Sequence, residues 1–363
     1  MSDFETARLT VRLGAIASNF REFQRISGTS VAAVVKADAY GMGMKAVAAH
    51  LLGGGADTFF VARLEEGVAL RAIVPDARIL VLDGAPDDAV AALVAYRLIP
   101  VLNSLAQISA WSAAARKHKR ILDGVVHFDT GMSRLGLPRD ELSLLVADGA
   151  KRLNGINVIL WMSHLACADD PNNSMNALQL DRFRSALAAL PAGPASLSSS
   201  AGVMLGKDYS FDMVRPGVGL YGGNPQPGSS NPFATAAVLT ARILQVRKIE
   251  NGESVGYGAT FRATRPTILA TAAIGYTDGL MRSLGNRGAG AIRGARAPVA
   301  GRVSMDLITL DVTHIPGATV GTDVEFIGDT ISLEEIAMNA GTAAYEILTS
   351  LARRVPRHYE AGA

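Results

Sequence analysis

The sequence predicts an α/β fold, with an N-terminal (β/α)8 TIM-type barrel over residues 10–225. A mainly-β C-terminal domain follows over 231–363, with residues 1–9 free to join it. Three observations predict this. Between about residues 12 and 222, eight short runs rich in Val, Ile and Leu alternate with helix-like runs, as a closed parallel sheet wrapped by helices requires. Polar side chains collect where those runs end. Past a Pro- and Gly-rich stretch at 223–234, the pattern becomes alternating Thr/Val/Ile strands with glycine turns, at 236–248 and 267–274 for example.

The eight runs lie at 31–36, 58–63, 79–84, 99–104, 124–129, 156–164, 195–200 and 211–215. Apolar spacing near three or four predicts helices at 86–96, 105–117, 138–150 and 174–190. The run ends carry Lys36, Arg63, Asp83, Asn103, Asp129, His164, Ser198 to Ser200 and Arg215. A barrel brings all such ends to one face, where its chemistry sits. A doubly wound sheet would gather a site at one switch point only. Near the end of the second domain, Ser332-Leu-Glu-Glu335 has capping-box spacing and predicts a helix from about 333.

The stretch Val31-Ala-Ala-Val-Val-Lys36 is an apolar run ending abruptly in a lysine. An amine at the mouth of a buried strand is partly desolvated, which lowers its proton affinity and makes it a usable nucleophile. A lysine just past a strand end, with its charge in water, fits the same residues. Tyr40, Gly41 and Gly43 suit a close approach to a ligand.

Composition narrows the function classes. With 363 residues, 49% of them hydrophobic and 19% charged, the chain has material for a large core and two domains. The formal charge of +2 comes from scattered rather than clustered Lys and Arg, so nucleic-acid and membrane-surface binding gain no support. Cys167 is the only cysteine, which excludes an internal disulfide and suits a reducing compartment. The acidic first residues hold no apolar signal core, and no run of 18 apolar residues occurs, so a soluble cytoplasmic protein is expected.

Several motif readings fail. Gly217-Val-Gly-Leu-Tyr-Gly222 matches the dinucleotide pattern, but the first acid after it is Glu250, beyond the linker. The same backbone can cradle a single phosphate, with help from Ser200, or it can simply pack tightly. The six histidines include no H-x-H or H-E-x-x-H pair, so no metal is expected. Asp129 has no partner carboxylate suited to glycosidase work. What remains is an amine, a phosphate cup, and two arginines at strand ends, Arg134, placed where it could clamp a carboxylate, and Arg215, next to Pro216. On one face these suit an amine that condenses with a carbonyl, acting on an amino acid.

Six motifs occur in order: Val-Val-Lys-Ala-Asp-Ala-Tyr-Gly (34–41), Asp-Thr-Gly-Met-Ser-Arg-Leu-Gly (129–136), Met-Val-Arg-Pro-Gly (213–217), Gly-Tyr-Gly-Ala-Thr-Phe (256–261), Gly-Tyr-Thr-Asp-Gly (275–279) and Gly-Arg-Val-Ser-Met-Asp (301–306). Over nearly its whole length the chain resembles the alanine racemases, pyridoxal-phosphate enzymes built from a barrel and a β domain. The resemblance implies that Lys36 holds the cofactor aldehyde. It further implies that Tyr40, Ser200, Gly217 and Val218 line the phosphate, with Tyr221 close behind, and that Arg215 faces the pyridine nitrogen. An arginine cannot take a proton from that ring, so the ring stays a weak electron sink and fast reprotonation is favoured. By the same resemblance Lys36 and Tyr257 are the two bases, the tyrosine coming from the partner of a head-to-tail homodimer. His164 would hydrogen-bond that tyrosine, Arg134 and the Met305 N–H would take the substrate carboxylate, and Tyr276, beside the Asp306 motif, would sit by the entrance.

Three positions depart from the family. His127 stands where a carbamylated lysine often steadies the arginine, and a bound anion or a water is expected to take that role for Arg134. Arg353 replaces the usual phosphate tyrosine, and Ser196 replaces a histidine that supports the ring arginine. The expected activity is interconversion of L- and D-alanine, supplying D-alanine for peptidoglycan. The alternatives are a relative of other specificity (a serine or broad amino-acid racemase, a decarboxylase, a D-threonine aldolase) and a non-catalytic pyridoxal-phosphate carrier.

Overall fold

The structure, a computed structural model, describes residues 5–362. Its first strand, β1 (Ala7–Arg12), runs antiparallel to a strand 230 positions later, pairing Leu9 with Leu239, and parallel to Arg357–Glu360. This strand therefore lies in the sheet of the second lobe. The helix Leu13–Ser27 then carries the chain to the barrel and ends on Gly28 at φ 68°, a left-handed position suited to glycine.

The barrel strands follow: β2 (Ser30–Val31), β3 (Ala33–Val34), β4 (Thr58–Val61), β5 (Arg78–Val81), β6 (Ile99–Leu102), β7 (Leu122–His127), β8 (Ile156–Met162), β9 (Ala195–Ser196) and β10 (Met213–Val214). All pairings from β3 to β9 are parallel, and β10 pairs in parallel with β2. The seam between β9 and β10 is held by Asp212 N–H to Ala195 O (3.0 Å) and Arg215 N–H to Ser198 O (2.9 Å). Counting the broken first strand once, the eight expected strands form a closed barrel. Every residue of β4 and of β6 is buried, as parallel strands covered on both faces must be.

The strands are shorter than the apolar runs. The run 31–36 breaks at Ala32 and ends at Val34, because its two pieces pair with different neighbours. The runs 195–200 and 211–215 shrink to two residues each. There Ser196 Oγ donates to Met213 O (2.6 Å) and Ser198 Oγ to Tyr209 O (2.7 Å), and Pro216 has no N–H to extend a ladder. Of the expected helix 86–96 only Val90–Ala95 is helical, while Leu105–His118, Arg139–Arg152 and Ser174–Ala189 match expectation closely.

The stretch 223–234 is tied down rather than loose. Asn224 N–H meets Glu334 Oε1 at 2.6 Å, and Gln226 Nε2 donates to Ala168 O at 3.0 Å. Beyond it β11 (Ala237–Ile249) is the spine of the second lobe, pairing with β1, Thr267–Ala272 and Asp323–Ile327. The helix Leu333–Ala340 begins where the capping pattern places it, with Ser332 Oγ accepting from Glu335 N–H at 3.1 Å. The Glu335 carboxylate pairs with Arg296 instead of returning to the cap. Ser332→Ala should lower stability by about 1 kcal/mol, read as a shift in denaturant midpoint with an unchanged slope.

Candidate active site

Lys36 opens a turn of unusual hand. Ala37, Asp38, Ala39 and Tyr40 all have φ between 52° and 55°, a left-handed run that costs each L-residue about 1–2 kcal/mol. Surrounding groups hold it in place. Backbone bonds run from Ala39 N–H to Val35 O, Gly41 N–H to Ala37 O and Gly43 N–H to Asp38 O, each at 2.9 Å. Glu66 Oε1 accepts from Ala37 N–H at 2.6 Å, while its Oε2 accepts from Ala62 N–H (2.8 Å) and Arg63 N–H (3.1 Å). Asp38 Oδ1 caps Met44 N–H at 2.7 Å, and the Arg357 guanidinium donates to Gly41 O at 3.2 and 3.1 Å. A Cβ on Gly41 would lie 2.5 Å from Leu348 O. Such over-determination is what allows strain to persist at a site. The turn leaves Lys36 half-buried. Burial, then the Arg134 charge, lowers its proton affinity against the opposing pull of Glu66 and Asp83. Glu66 escaped the sequence reading, because nothing in Leu-Glu-Glu-Gly shows that a helical glutamate reaches across two strand ends.

Behind the lysine lies an aromatic floor. Tyr40 stacks on Tyr221 with ring centroids 4.9 Å apart, and Tyr345 stands 6.2 Å away. Tyr221 Oη donates to Val34 O at 2.9 Å. Burial raises the proton affinity of all three phenols, Tyr345 to about 12, so each is a neutral donor at ordinary pH. A Cβ on Gly217 would come within 2.3 Å of Tyr40 Oη. Only glycine lets that hydroxyl meet the backbone here. Ser200 Oγ accepts from Gly217 N–H (2.9 Å) and Gly219 N–H (3.3 Å), and Val218 is buried beside them. Arg353 is exposed and makes no hydrogen bond among the described residues, so it does not occupy the place of the usual tyrosine in this cup.

Arg215 is buried beneath the mouth. It donates to Ser163 O (2.7 Å), to Leu197 O (3.3 Å) and to Ser196 Oγ, which itself donates to Met213 O at 2.6 Å. Its guanidinium also lies over the Phe60 ring, 6.0 Å from the centroid. All these partners are neutral, and burial pulls the guanidinium down to about 9. The serine that replaces the family histidine thus passes on one hydrogen bond without adding charge. Arg215 Nη2 also reaches His164 Nδ1 at 3.3 Å. Since arginine only donates, Nδ1 accepts, and the His164 proton sits on Nε2. Desolvation, then Arg215, keeps that ring neutral by lowering its proton affinity well below the ordinary value.

His127 is fixed in the opposite tautomer. Asn103 Nδ2 donates to Leu82 O (2.9 Å) and Val101 O (2.8 Å), which sets the amide orientation. Its Oδ1 therefore accepts from His127 Nδ1–H at 2.7 Å, leaving a lone pair on Nε2. Burial, then Arg215, lowers His127 to about 4. An anion at Nε2 would need the imidazolium, so a donor (a water or a guanidinium) fits that atom better. Asp129 is not an acid-base group here. Its carboxylate gathers the N–H groups of Gly131, Met132 and Ser133 at 2.9–3.2 Å. That fold of the backbone presents Arg134, which is exposed and without a hydrogen-bond partner among the described residues.

Tyr257, Tyr276 and Met305 stand apart from these groups. All three are exposed, Tyr257 by 71%, and they share adjoining loops of the second lobe. Tyr276 N–H meets Ser304 O and Thr277 N–H meets Met305 O, both at 3.1 Å. A Cβ on Gly258, beside Tyr257, would touch Arg302 at 3.1 Å. Asp306 is held by Arg354, which lowers its proton affinity. None of them hydrogen-bonds Lys36, Arg134 or Arg215 among the described residues. One chain thus splits the expected site into a barrel mouth and an outward-facing lobe patch.

A closed barrel with a desolvated amine, a buried arginine lacking a carboxylate partner and a glycine-lined cup defines a barrel enzyme of carbonyl–amine chemistry with an added β lobe. The matches to known proteins narrow this. Residues 11–225 match the alanine racemase N-terminal domain and residues 236–359 the alanine racemase C-terminal domain. A catabolic alanine racemase of Agrobacterium fabrum is 46% identical, with 98% of this chain and 92% of that protein covered. The biosynthetic alanine racemase of the same organism is 44% identical, with 98% and 95% covered. The crystal structure of alanine racemase from Bartonella henselae, with covalently bound pyridoxal phosphate, superposes with a TM-score of 0.93 at 38% identity, covering 98% of this chain and 99% of that one. The chain belongs to the alanine racemase family.

The two histidines make a pH prediction. His127 is held near 4 when folded against about 6.5 when unfolded, so the unfolded chain binds the extra proton between those values. Stability from this group is complete above about pH 6.5 and is lost as pH falls towards 4. Its share between pH 7 and pH 5 is about 2 kcal/mol. His127→Phe should flatten the fall in stability over that interval, while His164 keeps its own contribution. An unchanged pH slope in denaturant titrations would show that His127 is not held neutral.

Proposed function

We propose that this chain interconverts L- and D-alanine with pyridoxal phosphate bound at Lys36, working as a cytoplasmic homodimer with two composite sites. Residues 10–225 supply the cofactor-binding barrel and 231–363 the lobe that reaches the partner. The observation that carries this reading is the pairing of a desolvated Lys36 with Arg215, a buried cation that has only neutral partners. A buried guanidinium without a carboxylate suits a ring nitrogen that offers a lone pair. The cup of Tyr40, Ser200, Gly217 and Val218 offers hydroxyl donors for one phosphate, since Ser200 Oγ accepts from the Gly217 and Gly219 N–H groups and keeps its own hydrogen to give. The residues present therefore fit the cofactor.

When bound, pyridoxal phosphate supplies a conjugated acceptor that makes the substrate Cα–H acidic. The chain's own groups do the rest. Lys36, with lowered proton affinity, removes or returns a proton on one face of Cα. Tyr257 of the second subunit serves the other face, since its own 71% exposure leaves it free to enter a neighbour. His164, with its proton on Nε2, is set to donate to that phenol oxygen. Arg134 and the Met305 N–H receive the carboxylate, with the Asp129 turn presenting the arginine and the neutral His127 beside it. Tyr276 and Asp306 frame the approach. D-alanine made this way serves peptidoglycan synthesis, although one relative carries a catabolic name and another a biosynthetic one.

Lys36→Ala should abolish racemisation and the visible absorbance of the bound cofactor; retained turnover sinks the assignment. Tyr257→Phe should impair proton removal from one enantiomer far more than from the other, and equal loss of deuterium washout in both directions would argue for a single base. A panel of L-amino acids with chiral detection should show alanine turned over fastest. A faster serine reaction would move the protein to a broader specificity.

A further inference from the structure

Residues 348–357 run as a strap between the two halves of the site. On the barrel side Arg357 donates to Gly41 O at 3.2 and 3.1 Å, and its remaining N–H groups bind Leu351 O (2.9 Å), Ala352 O (2.5 Å) and Val355 O (2.7 Å). It thus ties the strap to the end of the left-handed turn that begins at Lys36. On the lobe side Arg354 takes both oxygens of Asp278, Nε to Oδ1 at 2.5 Å and Nη2 to Oδ2 at 3.1 Å, and its Nη2 also meets Asp306 Oδ1 at 2.6 Å. Ala352 N–H adds a bond to Asp278 O at 3.1 Å.

The two carboxylates are already built into the loops they serve. Asp278 is buried and accepts Gly275 N–H at 2.9 Å, one residue before Tyr276. Thr277 Oγ1 bridges Met305 O (2.8 Å) and Asp306 Oδ1 (3.1 Å). Exposed ion pairs usually contribute little. This one joins a planar guanidinium to a buried carboxylate in two parallel bonds, an arrangement that fixes direction as well as distance. A lysine offers no such fork.

We propose that Arg354 is a positioning residue that sets Tyr276 and Met305 for the partner subunit's site, while Arg357, three residues along the same strap, sets the Lys36 turn of its own chain. This rests on the composite-dimer reading above. Neither arginine touches substrate or cofactor. Each fixes loops that do, and misplacing a substrate-binding group by about 1 Å can cost on the order of 100-fold.

Hybrid dimers separate the two roles. Two differently tagged chains are co-expressed, and the mixed dimer is purified through both tags and loaded with pyridoxal phosphate. A Lys36→Ala chain paired with a Tyr257→Phe chain is the control, since composite sites leave it one complete site. Arg354→Met homodimers should show a KM for alanine raised on the order of 10-fold with a smaller change in kcat, and Arg354→Lys should recover only part of it. When Arg354→Met is paired with Lys36→Ala, the competent site draws its lobe loops from the unaltered lobe, so KM should return to the control value. Arg357→Met paired with Lys36→Ala should stay impaired, because its defect travels with its own Lys36. A raised KM persisting in the Arg354→Met hybrid, or an ordinary KM in the Arg354 homodimers, overturns the proposal. An inactive control overturns the composite reading itself, and this proposal with it.

Discussion

The Glu66 carboxylate accepting three backbone N–H groups is the contact on which the site depends. Four consecutive left-handed residues after Lys36 are costly, and one carboxylate from the helix Leu64–Arg71 draws Ala37, Ala62 and Arg63 into one arrangement. With the first two strand ends locked together, Lys36 has a defined exit from the barrel. Tyr40 is turned inward onto Tyr221 and beneath Gly217. Loss of that anchor would release the lysine and the floor of the cup together.

The remaining polar groups form a deliberately uncharged surround. Arg215 meets carbonyls, a serine hydroxyl and a histidine nitrogen, and no carboxylate neutralises it. Burial first, and the cation after it, pushes protons away from both histidines, so His127 and His164 stay neutral, and each is held in one tautomer by a neighbour whose hydrogen-bonding role is fixed. A neutral ring with a known donor and a known acceptor is a directional part. An imidazolium in the same place would be two donors and a repulsive charge.

Much of this was legible in the sequence. Lysine, arginine and histidine at the ends of apolar runs mark a barrel mouth, because the fold gathers those ends whatever lies between them. Ser332 announced its helix by spacing alone. Glu66, Arg354 and Arg357 were silent because their partners are backbone groups or carboxylates set by the fold, up to 316 positions away for Arg357 and Gly41. Asp129 was visible in the sequence, but its work as a backbone clamp was not. Next to glycine and serine its carboxylate organises three N–H groups, and no sequence spacing distinguishes that from a reactive acid. The last barrel strands were weak in sequence because only two residues of each lie in the ladder, with the Ser196 and Ser198 hydroxyls bonding backbone carbonyls around them.

The placement of β1 imposes an order on assembly. The strand Ala7–Arg12 bonds to partners more than 200 residues further along, in β11 and in Arg357–Glu360, whereas every barrel pairing lies within residues 30–216. A chain emerging from the ribosome can close its barrel while the sheet of the second lobe still lacks its central strand. Contacts of such long sequence separation form slowly. The strand Ala7–Arg12 is thus among the last to find its place, and the second lobe matures only after the barrel.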